Sequence, residues 1–261
     1  MFQMISVFMR IKQKLAISKR VGYFFVSFGY DWIEVIVMCG RFTLVTDPLQ
    51  VLERFVIDEM KIDLQPRYNV APGQLIPAII ATGGKRRIGQ LRWGLVPAWA
   101  EDEKVGYKLI NARAETVGDK PAFQRLLERK RCIIPADGFY EWRQLEGKKK
   151  QPMRIMMKSQ ALFAFAGLYD TWTSPRGEKL HSCTIITTKP NDVVRDIHER
   201  MPVILRRQDE AIWLDRERCD AELLRSLLVP YDAAEMRSYP VPVMVGNVRN
   251  DSPECIKTLL D

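Results

Sequence analysis

The chain has 261 residues, 47% of them hydrophobic and 28% charged, a composition that supports a packed core and excludes disordered or collagen-like chains. Forty Lys and Arg against thirty-two Asp and Glu leave a net charge of +8, which favours a polyanionic partner without requiring one. The five cysteines (Cys39, Cys132, Cys183, Cys219, Cys255) are odd in number and never spaced CxxC, which argues against a disulfide framework or zinc knuckle and for a reducing, cytoplasmic compartment.

Residues 1–37 are unlike the rest. Five basic side chains (Arg10, Lys12, Lys14, Lys19, Arg20) precede an aromatic-rich run over 21–30, which is far shorter than the roughly 20 apolar residues of a spanning helix and lacks a small-residue cleavage site. Neither membrane insertion nor secretion is expected. Met38 precedes Cys39, so translation is expected to begin at Met38, or else 1–37 is a removable extension to a domain over 38–261. Without 1–37, 35 basic and 30 acidic side chains remain, and the net charge falls to +5.

From there β-prone runs are predicted at 41–45, 75–82, 86–95, 132–135, 139–143, 153–158, 162–168 and 182–188. Helical spacing is predicted at 47–55, with Pro48 suited to a first helical position, and at 121–130, 192–198, 208–215, 221–228 and 252–260. Strands and helices do not alternate as a doubly wound sheet requires. The expected fold is a single α+β domain with a curved, largely antiparallel, barrel-like sheet flanked by short helices.

Phosphate-cradling motifs are absent: Gly83-Gly84-Lys85 reads as a turn between strands, and no GxGxxG occurs. HExxH and paired His/Cys spacings are absent too, so no metal and no cofactor are predicted. Polar residues embedded in apolar or turn-rich segments are the remaining candidates. Cys39, exposed as the first residue after loss of Met38, would carry a thiol and an α-amine on adjacent carbons, both partly reactive near neutral pH and able to close a thiazolidine on an aldehyde. A lone Cys is also an ordinary buried small hydrophobe. Period two over 109–116 places Asn111, Arg113 and Glu115 on one face, suited to a phosphate or sugar, or simply solvated. Glu141, between Tyr140 and Trp142, is either a general acid or base or a paired strand carboxylate. His198 is expected at the C-terminus of a short helix stopped by Pro202, where an imidazolium is favoured. It is a better catalytic candidate than His181, the one other histidine. Segments 67–73 and 93–99 interleave aromatic, basic and amide groups with turn residues, as a stacking platform for single strands or as core turns.

In series, MCGRF at 38–42, RYNVAPG at 67–73, WGLVPAW at 93–99, INARAET at 110–116, ADGFYEW at 136–142, DIHERMPVIL at 196–205 and VGNVRN at 245–250 resemble the SOS-response-associated peptidase family of abasic-site-processing proteins. The resemblance covers essentially all of 38–261 and leaves 1–37 outside. It implies that Cys39 attacks the ring-opened aldehyde of an abasic site in single-stranded DNA and forms a thiazolidine crosslink. By the same resemblance Asn111 holds the opened sugar and orients the amine, Glu141 shuttles protons, and His198 assists ring opening. Arg41 and Arg113 would hold phosphates, while Trp93, Trp99, Asn69 and Pro72 would shape the DNA groove. The family is also linked to removal of its own leading residues. The implied protein is a cytoplasmic monomer, at the nucleoid when bound to DNA. The competing readings are an amino-terminal-nucleophile thiol hydrolase and a non-catalytic reader of single-stranded or modified DNA.

Overall fold

The computed structural model describes residues 24–28, 31–35 and 39–260 and divides the chain into two units, Met1–Met38 and Cys39–Asp261. In the first, β1 (Phe24–Phe28) and β2 (Asp31–Val35) pair antiparallel, Phe24 opposite Val35. The basic stretch from Arg10 to Arg20 lies outside the described residues. No helix among the described residues is long and apolar enough to cross a membrane.

The second unit is built from two sheets. In the larger, β6 (Leu75–Thr82), β7 (Lys85–Trp93), β9 (Arg131–Ala136), β12 (Phe163–Thr173) and β13 (Lys179–Thr188) form a closed ring. Four junctions, β7–β6, β6–β9, β9–β12 and β12–β13, are antiparallel. A ring of five strands cannot alternate direction all the way round, so the closing pair must be parallel. It is: β13 meets β7 through Ser182–Arg92 and Cys183–Trp93. The β6–β7 hairpin turns on Gly83 (φ 59°) and Gly84 (φ 74°), the two consecutive positive φ values that a tight hairpin needs and that only glycine adopts without strain. Short strands extend the ring: β4 (Glu59–Met60), β8 (Asn111–Arg113), β14 (Met201–Pro202) and β15 (Ile204–Leu205).

The second sheet is antiparallel, in the order β16 (Met236–Pro240), β11 (Lys150–Met157), β10 (Gly138–Gln144), β3 (Phe42–Leu44), β5 (Arg67–Val70). Phe42, Phe139 and Ile155 from this sheet share a buried cluster with Trp93, Ile134 and Phe165 of the ring. Phe42 stands tilted against Trp93 at 5.4 Å and edge-on to Phe165 at 5.8 Å, geometries that aromatic quadrupoles favour. A second cluster joins ring residues such as Ile79, Ile133 and Ile186 to the helices.

Helix α1 (Pro48–Phe55) starts where Asp47 accepts from Leu49 N at 2.8 Å, with Pro48 in the first turn, and ends on Val56 in a left-handed conformation. Helices α2 (Gln124–Arg129), α3 (Glu210–Leu214) and α4 (Ala221–Ser226) are short. Two expected helices do not form. Over 192–198 the chain makes separate turns, bonded to Asn191 O and Val194 O and capped where Asn191 Oδ1 accepts from Val193 N and Val194 N, so His198 does not end a helix. Over 252–260 only the 3-10 turn Pro253–Ile256 appears, because Leu259 N is drawn away to Pro240 O of β16.

Ring curvature brings β9 and β12 close at Gly167, where an added Cβ would lie 2.4 Å from Ile134 Cδ1, 2.9 Å from Cys132 Sγ and 3.1 Å from the Thr184 carbonyl. Gly167→Ala is expected to destabilise the protein by about 1–3 kcal/mol through overpacking. A chemical-denaturation midpoint equal to that of the parent chain would refute this.

Candidate functional site

Cys39 enters β3 three residues later, and β3 lies beside β10 with Phe42 opposite Phe139. Tyr140 N donates to Arg41 O at 3.0 Å, carrying that pairing toward Cys39, and Glu141 is the next residue on β10. Asn111 comes from β8, held parallel to β13. His198 lies on the segment between β13 and β14. Four residues distant in sequence thus meet where the second sheet abuts the ring.

Within this cluster Asn111 Nδ2 donates to Cys39 O at 2.9 Å, and the Cys39 thiol donates to Arg200 O at 3.4 Å. His198 Nδ1 is 3.8 Å from Glu141 Oε2. The same nitrogen is 2.9 Å from Arg200 O and 3.1 Å from Arg200 N, so either tautomer finds a backbone partner. Cys39, Glu141 and His198 each place a ligand-type atom within 4.8 Å of the other two. Cys39, Asn111 and Glu141 are buried, and among the described residues Asn111 Oδ1 and Glu141 Oε1 have no hydrogen-bond partner. Buried acceptors without a partner are costly to keep.

The electrostatics follow from burial. Desolvation pushes the Cys39 thiol well above its usual range, and the adjacent Glu141 charge adds to it while Arg200 opposes. Burial also raises the Glu141 carboxyl, opposed by His198 and by the thiol's hydrogen bond. The thiol therefore keeps its proton until a neighbouring base takes it, and Glu141 is suited to exchange protons nearer neutrality than an exposed carboxylate.

Other predicted residues sit elsewhere. Trp99 is 65% exposed, Arg113 is exposed and Pro72 is half-buried. Trp93 is 2% exposed, with its indole N–H donating to Ile110 O at 2.9 Å, so its ring is core and is not offered to a base. Asn69 is fully buried: its amide donates to Val245 O, Asn247 O and Asn250 O, and its Oδ1 accepts from Arg41. Arg41 spends its guanidinium on that oxygen and on the carbonyls of Val245 and Gly246, and lies 5.8 Å over Trp142. Its positive charge is bound into a loop staple. Asn111 is buried while Arg113, at the end of β8, and Glu115, in the turns that follow, are exposed.

Sequence reading missed two contributors. Arg200 presents its carbonyl to both Cys39 and His198, while its guanidinium is locked by Glu115 (2.8 and 2.9 Å) and Thr187 O (2.7 Å). The Glu115 carboxyl is held below its ordinary range mainly by that bond. Asp137, 3% exposed, accepts from Thr43 Oγ1 (2.6 Å), Val45 N (2.6 Å), Thr46 N and Oγ1 (both 2.9 Å) and Arg154 (3.1 Å), tying β3 to β10 and β11. Only the neighbouring Gly138 hinted at this: a Cβ there would lie 2.7 Å from Arg154 Nε.

The model of the SOS response associated peptidase family matches residues 38–248. The abasic site processing protein YoqW of Bacillus subtilis (strain 168) is 54% identical over 85% of this chain and 100% of its own length. The abasic site processing protein HMCES of Xenopus tropicalis is 33% identical over 75% of this chain and 67% of its own. Among solved structures, a crystal structure of a protein from Bacteroides thetaiotaomicron superposes with a TM-score of 0.76 at 29% identity, covering 85% of this chain and all of that one.

The raised Glu141 carboxyl makes a stability prediction. A buried acid whose folded pKa lies above its unfolded value of about 4.3 favours the fold below that value and loses this contribution as pH rises through the folded pKa. Glu141→Gln is therefore expected to raise the thermal midpoint at pH 7.5 and to lose that advantage near pH 4. Equal midpoints at both pH values would show that the carboxyl is not strained by burial.

Proposed function

The chain belongs to the SOS response associated peptidase family, and we propose that it processes abasic sites in single-stranded DNA by forming a thiazolidine crosslink through Cys39. The observation that carries this reading is the convergence of Cys39, Asn111, Glu141 and His198 with two buried, unpartnered acceptor oxygens.

In the chain as written the Cys39 nitrogen is in an amide bond to Met38, so the reaction requires that bond to be absent. We take the mature protein to begin at Cys39, either because translation starts at Met38 and the methionine is removed or because the chain cleaves itself there. The family match starting at residue 38 and the division of the chain between Met38 and Cys39 support this boundary. The α-amine then adds to the aldehyde carbon of the opened deoxyribose, the carbinol oxygen leaves as water, and an imine forms. Sγ adds to the imine carbon, its proton passes to the nitrogen, and a five-membered ring closes with net loss of one water.

Each neighbour has a task in that sequence. Asn111 holds the Cys39 carbonyl, which fixes the amine, and its Oδ1 accepts from the opened sugar. Glu141 moves the carbinolamine N–H proton to the departing oxygen, then takes the thiol proton, which burial otherwise retains, and passes it to the nitrogen. His198, 3.8 Å from Glu141, supports ring opening and proton return. Arg113 and Trp99, exposed, are assigned to the DNA strand, with Pro72 at the groove edge. The structural duties of Asn69, Trp93 and Arg41 remove them from that list.

Mature protein mixed with single-stranded DNA carrying one abasic site should give a denaturant-stable adduct, and undamaged DNA should give none. Cys39→Ser should abolish the adduct while binding persists; a full-strength adduct in that variant would refute the assignment, and an acyl-enzyme with peptides would favour a thiol hydrolase instead. Glu141→Gln and His198→Ala should slow adduct formation by about 10²–10⁴ without changing the product. Time courses from seconds to hours, matching the parent for both variants, would return these residues to structural roles.

Arg113→Ala should weaken binding equally across flanking sequences and flatten the salt dependence by about one unit of slope. A loss that depends on the flanking bases would argue for base-edge contact.

A further inference from the structure

We infer that Cys39, Glu141 and His198 form a site for a borderline-soft divalent metal, Zn²⁺ in the first place, and that the metal and an aldehyde compete for the same sulfur. The metal site rests on these three side chains, and the competition with an aldehyde rests on the proposed function. Thiolate, imidazole and carboxylate are the three donor types that zinc takes, and they are unsuited as a set to Mg²⁺ or Ca²⁺. Their donor atoms already lie within 4.8 Å of one another, and zinc bond lengths of about 2.0–2.3 Å ask for only a modest contraction of side chains.

Independent of that spacing, the cluster contains an unmet need for a ligand. Glu141 is 1% exposed, and its Oε1 accepts no hydrogen bond. A cation held by this carboxylate, whose Oε2 lies 3.8 Å from His198 Nδ1, offsets the cost of burying it. Thiolate and carboxylate together cancel the two charges of the metal, so the group buried there is neutral. His198 Nδ1, 3.8 Å from Glu141 Oε2, is the ring nitrogen that faces the carboxylate, and its contact with Arg200 O at 2.9 Å holds the ring in place until a metal takes that nitrogen. Three protein donors leave a fourth tetrahedral position for water. Binding exchanges the thiol proton for the metal: Zn²⁺ and Cys–SH give Cys–S–Zn⁺ and a proton released to solvent, with no change of oxidation state. Such a thiolate is masked as a nucleophile until the metal leaves.

The test uses the full chain, stripped of metal by a chelator and titrated with Co²⁺ in the absence of DNA, so it can fail separately from the crosslinking assay. One equivalent should produce a sulfur-to-cobalt charge-transfer band and the intense visible bands of four-coordinate cobalt, and one equivalent of Zn²⁺ should bleach both. Cys39→Ser should abolish the charge-transfer band and weaken Zn²⁺ binding at least about 100-fold in a competition titration against a chromophoric chelator. Cys219→Ser, a half-buried cysteine outside the cluster, should keep both. Absence of the band in the unmodified chain, or its survival in Cys39→Ser, would overturn the site.

Discussion

The buried carboxylate of Asp137 is the constraint on which the site depends. It gathers five donors from β3, the turn after it and β11, and Gly138 lets the Arg154 guanidinium press against the backbone. A buried ion pair of this kind adds little net stability relative to an apolar replacement, yet removing one partner costs about 3–5 kcal/mol because the other is left unpaired. Its contribution is geometric. It sets the position of the short strand β3 against β10, and that position brings Cys39 to Glu141.

The cluster itself runs against stability. A carboxyl, a thiol, an imidazole and an amide share a water-poor place, and two of their oxygens have no partner among the described residues. Burial raises both the thiol and the carboxyl, each by disfavouring its charged form. A fold optimised for stability alone would fill this place with apolar side chains. Polar groups kept in such a place are what the proposed chemistry needs and what a structural core avoids.

Around the cluster, polar side chains divide into those that hold loops and those that face solvent. Asn69 and Arg41 together fasten the segment 245–250 by satisfying its carbonyls, and Arg131 does the same for carbonyls of Leu127, Trp213 and Arg218. Amides and guanidiniums suit this task because one side chain offers several donors in a fixed plane. Such residues look like binding residues in a sequence, since both roles call for polar groups among turns and aromatics. The exposed Trp99 and Arg113 carry no such duty.

Much of the local structure was legible from the chain. The Gly83-Gly84 hairpin, the Asp47-Pro48 helix start and most strand positions depend on turn chemistry, caps and apolar runs, which act over a few residues. The segments holding Cys39, Asn111, Glu141 and His198 could also be singled out, because polar residues in apolar surroundings are conspicuous along a sequence. Only the tertiary structure decided that these four meet, that Trp93 and Asn69 face inward, that the chain over 192–198 turns without becoming a helix, and that Arg41 is spent on carbonyls 204 and 205 positions away. The physical reason is range: propensity and capping are settled by neighbours in the chain, whereas burial, pairing and proton affinity are settled by whatever the fold places alongside.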